Sequence, residues 1–180
     1  MTKLFSYLRD GFVVSSALVL SGISPSALAS QCTVDEFETL QKVGETRLSV
    51  WFWDVYDAEL RTDTGALDSA EQRALQLSYL RDIKAKDLVD TTAEEWERLG
   101  ITISADHQQW LSELRQMWPN VQEGDCITLL ETEQGYAKFF GPSGEIGEIQ
   151  SAQFTEDFLA IWLDENSRFK DARNELIGVQ

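Results

Sequence analysis

The feature that most constrains the fold is a set of closely spaced turn signals in the second half of the chain. Glu123-Gly124, Glu133-Gln134-Gly135 and Gly141-Pro142-Ser143-Gly144 separate the runs 125–131, 136–140 and 145–149. Short runs rich in Ile, Leu and Phe between Gly-containing turns read as β-strands, and tight turns join them antiparallel. They predict a three-stranded meander. One face of such a meander must be covered by another layer.

The rest of the chain supplies that layer and more strands. Leu75, Leu77 and Tyr79 alternate with Gln76 and Ser78, which predicts a strand over 73–81. Residues 45–60 are rich in Val, Trp, Phe and Tyr and also read as strand. In that run Leu48, Val50 and Phe52 share one face and Ser49, Trp51 and Trp53 the other, so it is expected to be covered on both sides, with a bend at Asp54. Arg61 to Asp68 reads as a loop. A polar helix is expected over Lys84–Leu99, with a capping box from Thr92 to Glu95 for its main part and Gly100 as its stop. Ser104 is the N-cap of the next helix, where Trp110, Leu111, Leu114 and Trp118 recur at helical spacing up to Pro119. After the meander, Ser151 caps a helix with the stripe Phe154, Phe158, Ile161, Trp162. A last helix spans about 167–177 with Phe169, Leu176 and Ile177 inward. The order of strands, two helices, a meander and further helices predicts an α+β fold, an antiparallel sheet with helices packed on one face.

Residues 1–29 read as a secretory signal peptide. Lys3 and Arg9 give the positive start, Phe12 to Leu20 a short apolar stretch, and Ala27-Leu28-Ala29 a small-x-small cleavage site. The stretch falls short of the ~20 apolar residues that span a bilayer. The expected product is 30–180, one exported, soluble domain, periplasmic in a Gram-negative source. Cys32 and Cys126 are then the two thiols of an exported chain, a possible disulfide. The alternative is two small hydrophobes that never meet.

Charge and composition exclude several functions. With 31 acidic and 15 basic side chains the net charge is −16, which repels nucleic-acid phosphates and anionic lipid surfaces. One histidine and two distant cysteines supply no metal site, and no Gly-rich phosphate loop is present, so no cofactor is expected. His107 could join a Ser-His-Asp triad only on paper, because a nucleophile-elbow motif is missing. The aromatic content is more informative. Trp51-Phe52-Trp53 either packs in the core or walls an apolar pocket. Arg47, flanked by Leu48, either points inward to a protein acid or a ligand head group, or stands exposed at the strand end.

Several segments together resemble bacterial chalcone isomerase-like proteins. They are Val43-Gly44-Glu45-Thr46-Arg47, Asp54 to Leu60, Leu77 to Ile83, Gln122 to Asp125, Phe139-Phe140-Gly141-Pro142-Ser143-Gly144, Ile146 to Ile149, and Phe154 to Leu163. The resemblance covers most of 35–178 and implies an open-faced β-sandwich with an apolar cleft between sheet and helices. In the wider superfamily, plant chalcone isomerases close a flavanone ring, whereas related fatty-acid-binding proteins hold a lipid carboxylate without chemistry. Both place an Arg where Arg47 stands, and Tyr56 matches the polar residue that follows. The resemblance thus implies ligand binding by Arg47 and Tyr56, which requires a bend between them. The plant enzymes also use a Tyr and an Asn at the start of the helical region, and residues 82–99 contain neither. The favoured expectation is a non-catalytic protein binding a small apolar carboxylate such as a fatty acid. The alternative is an isomerase or intramolecular lyase acting on a chalcone-type unsaturated carbonyl compound. A third is a purely structural or partner-binding subunit whose cleft is collapsed by Trp51 and Trp53.

Overall fold

Tight turns and alternation build one antiparallel sheet whose strands follow chain order. The computed structural model describes residues 34–179. Its six strands are β1 (Gln41–Val50), β2 (Trp53–Thr62), β3 (Arg73–Tyr79), β4 (Cys126–Glu131), β5 (Ala137–Gly141) and β6 (Gly144–Ile149). They lie in the order β1-β2-β3-β4-β5-β6. The helices are α1 (Asp35–Thr39), α2 (Ala85–Arg98), α3 (Ala105–Met117), α4 (Ala152–Leu163) and α5 (Lys170–Leu176). The expected meander is β4-β5-β6, and the architecture is the expected α+β, open-faced arrangement.

The run 45–60 is where sequence and structure part. It is the tip of a hairpin, with the chain reversing at Trp51 and Phe52. Trp51 has φ of 60°, a left-handed conformation that a bulky side chain seldom adopts. Period-2 patterning runs unbroken through a two-residue turn built without Gly, Asn or Asp, so the reversal carries none of the usual markers. The strand then extends to Thr62, beyond the expected start of the loop.

Helix boundaries follow the caps. Ser104 accepts from the His107 backbone N–H, and the His107 side chain completes a capping box. Ser151 accepts from Phe154 N. Thr92 does not cap: α2 already runs from Ala85, whose N–H donates to Asn120 Oδ1 at 2.9 Å, and Thr92 Oγ1 donates to Leu88 O. The inner sheet face buries Leu60, Leu75, Leu77, Ile127, Leu129 and Phe139 against α2, α3, α4 and α5. Trp96, Trp110, Phe154 and Phe158 interlock there, with Phe154 and Phe158 stacked at 5.4 Å. On the outer face α1 sets Phe37 in a smaller cluster with Ala74 and Leu130. Arg61 lies 4.6 Å over the Phe37 ring and pairs with Glu59 and Glu38.

The placement of α5 depends on Gly44. A Cβ there would come 2.2 Å from Glu175 O and 2.6 Å from Leu176 O. Only a residue without a side chain lets the end of α5 lie directly on β1.

Candidate functional site

Sheet and helices do not close completely. A cavity of about 400 Å³ lies between the inner faces of β1–β5 and the helices α2, α4 and α5. Its floor is apolar, with Leu48, Leu75, Leu77, Ile127, Leu129 and Phe139, and Phe158 and Ile161 face them from α4. The volume falls within the usual range for small-molecule pockets, roughly 300–1,000 Å³.

Polar groups gather on the helix side, where Asp87, Thr91, Thr92, Glu94, Glu95, Ser167, Arg168 and Arg173 line the cavity, while the sheet contributes Thr46, Tyr56 and Tyr79. Tyr56 and Tyr79 meet edge to face, ring centroids 6.0 Å apart, because their positions on β2 and β3 are paired. Tyr56 Oη accepts from Trp162 Nε1 at 2.9 Å. Burial, reinforced by the charge of Glu95, raises the Tyr56 hydroxyl pKa well above its ordinary value, although the Trp162 bond opposes the shift. Burial raises Tyr79 likewise, with a smaller push from Tyr56. Both hydroxyls are therefore neutral donors at physiological pH. The Trp118 indole, also on the cavity wall, has its Nε1 buried without a partner among the described residues.

Two arginines line the cavity, and they differ. Arg168 Nε is bound to Glu95 Oε1 at 2.7 Å, and Glu95 also holds Arg98 Nε at 2.7 Å. Arg173, half-buried on α5, donates from Nε to Leu163 O at 2.8 Å and from Nη1 to Asn174 Oδ1 at 3.4 Å. Among the described residues it has no carboxylate partner. It is thus a cation on the cavity wall whose charge is not neutralised by an acid among the described residues.

The structure does not bring Arg47 and Tyr56 together. Arg47 pairs across the strands with Asp57, and Leu48 with Tyr56, so the two expected ligand residues face opposite sides. The Arg47 side chain is 54% exposed on the outer face. It forks onto Asp57 at 2.7 and 2.9 Å and reaches Asp54 at 3.5 Å. Those bonds, Asp57 first, raise its pKa further. Tyr56 lines the cavity and Arg47 does not. A β-bulge between Leu48 and Ser49 and the hairpin turn both lie between them, yet the net result leaves Arg47 outside.

Other expected residues fall as follows. Trp51, Phe52 and Trp53 are neither core nor cavity wall but lie in solvent. His107 binds Ser104 Oγ through Nδ1 at 2.8 Å and Asp157 Oδ2 through Nε2 at 3.1 Å, but this is a helix cap tied to α4, and none of the three lines the cavity. Cys126 opens β4 buried, and Cys32 lies outside the described residues, as does the expected leader. No group of three or more His, Cys, Asp or Glu is placed to hold a metal among the described residues. No helix among them is long and apolar enough to cross a membrane. Sequence reasoning missed Arg173, although Phe169, Arg173 and Leu176 share one helical stripe, and it missed Tyr79 as a site residue, although its face was legible.

The chain has recognisable relatives. Residues 28–178 match the family model described as chalcone isomerase-like. An uncharacterized protein of Haemophilus influenzae is 28% identical over 145 residues, covering 79% of this chain and 70% of that protein. The crystal structure of a fatty-acid binding protein from Arabidopsis thaliana shares the fold with a TM-score of 0.62. It is 12% identical, and the match covers 78% of this chain and 88% of that one.

Proposed function

The chain belongs to the chalcone isomerase-like family, and from that premise we propose that it is a non-catalytic binding protein for a small apolar carboxylate, of which a fatty acid is the simplest example. The observation that carries this reading is Arg173, a cation without an acid partner among the described residues, on the wall of a largely apolar cavity. An alkyl chain packs along Leu48, Leu77 and Leu129, and its head group meets the guanidinium. The fatty-acid binding protein with the same fold supports the ligand class. The expected leader 1–29 supports action outside the cytoplasm, in the periplasm of a Gram-negative source.

The cavity offers an enzyme little. Ring closure of a chalcone needs a phenolate held for attack and a group that stabilises the developing enolate. Tyr56 and Tyr79 can donate hydrogen bonds, but burial keeps both from acting as bases near neutral pH. Chalcone-type substrates incubated with the purified protein are expected to keep their absorbance. Native mass spectrometry of the purified protein, followed by lipid extraction, tests the binding reading. A one-to-one adduct released as an organic acid supports it, and a protein that neither co-purifies with nor takes up added acids contradicts it.

A further inference from the structure

Among the described residues, the largest exposed apolar feature is the β1–β2 tip. Trp51, Phe52 and Trp53 are 89%, 95% and 65% exposed, and Val50 beside them 40%. Water-soluble surfaces seldom carry three adjacent aromatics in the open. The tip is also strained, since Trp51 holds φ at 60°, where Gly or Asn would sit without cost. Stability alone favours neither the residue type nor its conformation.

The tip is continuous with the cavity. Leu48 and Val50 before the turn and Val55 and Tyr56 after it all line the cavity wall, so the hairpin is at once wall and protrusion. Val50 both lines the cavity and is exposed to solvent, so the cavity wall reaches the surface beside the tip. Arg81 lies 5.2 Å over the Trp53 ring and makes no ion pair among the described residues. Indole and phenyl rings beside a cation form the side-chain set that settles at the headgroup level of a bilayer.

We propose that the Trp51-Phe52-Trp53 tip docks the protein on a neutral, zwitterionic lipid surface, so that the cavity opening faces the source of its ligand. The choice of a lipid surface rests on the binding reading above; the exposure and strain of the tip do not. Area argues against a protein partner. Three such side chains offer roughly 450–750 Å², short of the ~800 Å² per partner of a standard interface. Charge selects the lipid: a chain of net charge −16 is repelled by anionic membranes.

The test is flotation of the full protein with phosphatidylcholine vesicles, comparing the native chain with a Trp51→Ser, Phe52→Ser, Trp53→Ser variant. None of the three substituted residues itself lines the cavity. The native chain is expected to float with the vesicles, with tryptophan emission shifted to the blue. The variant should lose about 1,000-fold in partition, because each of the three rings withdrawn from water counts for roughly tenfold. Adding phosphatidylglycerol at low salt should weaken the native chain. Binding of a soluble short-chain acid, measured without vesicles, should be equal in the two proteins, and this separates tip from cavity. Equal flotation of the two proteins overturns the proposal. So does a native chain that stays in solution, or one whose tip holds two copies together in sedimentation while ignoring vesicles.

Discussion

Arg47 and Tyr56 stand on adjacent strands with their side chains on opposite faces of the sheet, because Arg47 is in register with Asp57 while Tyr56 is in register with Leu48. The residue that resemblance nominates as an anion clamp is bound to two acids of its own chain instead. Arg47→Ala is therefore expected to leave affinity for an apolar acid unchanged within about twofold. It should also leave the thermal midpoint nearly unmoved, since exposed pairs contribute little. Titration of the variant checks this, and a tenfold loss would return Arg47 to the site.

Gly44 sets α5, and α5 carries Arg173. A methyl group at Gly44 meets two backbone carbonyl oxygens, neither of which can rotate away. Gly44→Ala should destabilise the fold by about 1–3 kcal/mol through overpacking, and should weaken ligand binding by moving α5. Denaturant unfolding and titration of the same variant measure both.

Tyr56 and Tyr79 make the protein sensitive to alkali. Burial raises both pKa values above the ordinary value near 10. The folded chain therefore keeps these protons at pH values where the unfolded chain has released them. Their contribution is complete below about pH 10 and is lost as pH rises through the folded-state values, at roughly 1.4 kcal/mol per group per pH unit. Unfolding midpoints should fall above pH 10, and less steeply in Tyr79→Phe. A spectrophotometric titration in which both phenols ionise near pH 10 in the folded protein would contradict this.

A Cys32–Cys126 bridge, the first of the two alternatives for these thiols, would tie the start of the exported chain to β4. Closing a loop of ~95 residues contributes up to ~4–5 kcal/mol in the chain-entropy model. Protein purified from an exported source should resist alkylation without reductant and should melt lower after reduction. Its N-terminus is expected at Ser30.

The fold was largely readable because its signals are local. Gly124, Gly135 and the Gly141–Gly144 turn announce the meander, and Ser104 and Ser151 announce α3 and α4. The first hairpin was hidden because Trp51-Phe52 turns the chain with aromatic residues that ordinarily mark a strand. The site was less legible. Side-chain facing reverses with each single-residue shift of register, so one unmarked turn and one bulge suffice to misplace Arg47. The stripe Phe169, Arg173, Leu176 marks Arg173 as facing the apolar side of α5, but only the close seating of α5 at Gly44, a tertiary contact, brings that side onto the cavity.

In the binding reading proposed above, Arg173 holds a carboxylate over an apolar cavity. Calorimetric titration of the native chain and Arg173→Gln with dodecanoic acid and with its methyl ester tests it most directly. A charged hydrogen bond contributes roughly 1.5–3 kcal/mol, so the native chain should prefer acid to ester by about 10- to 100-fold. The variant should lose that preference while binding the ester as before. Equal affinity of the native chain for acid and ester, or an acid preference that survives in the variant, would contradict the account.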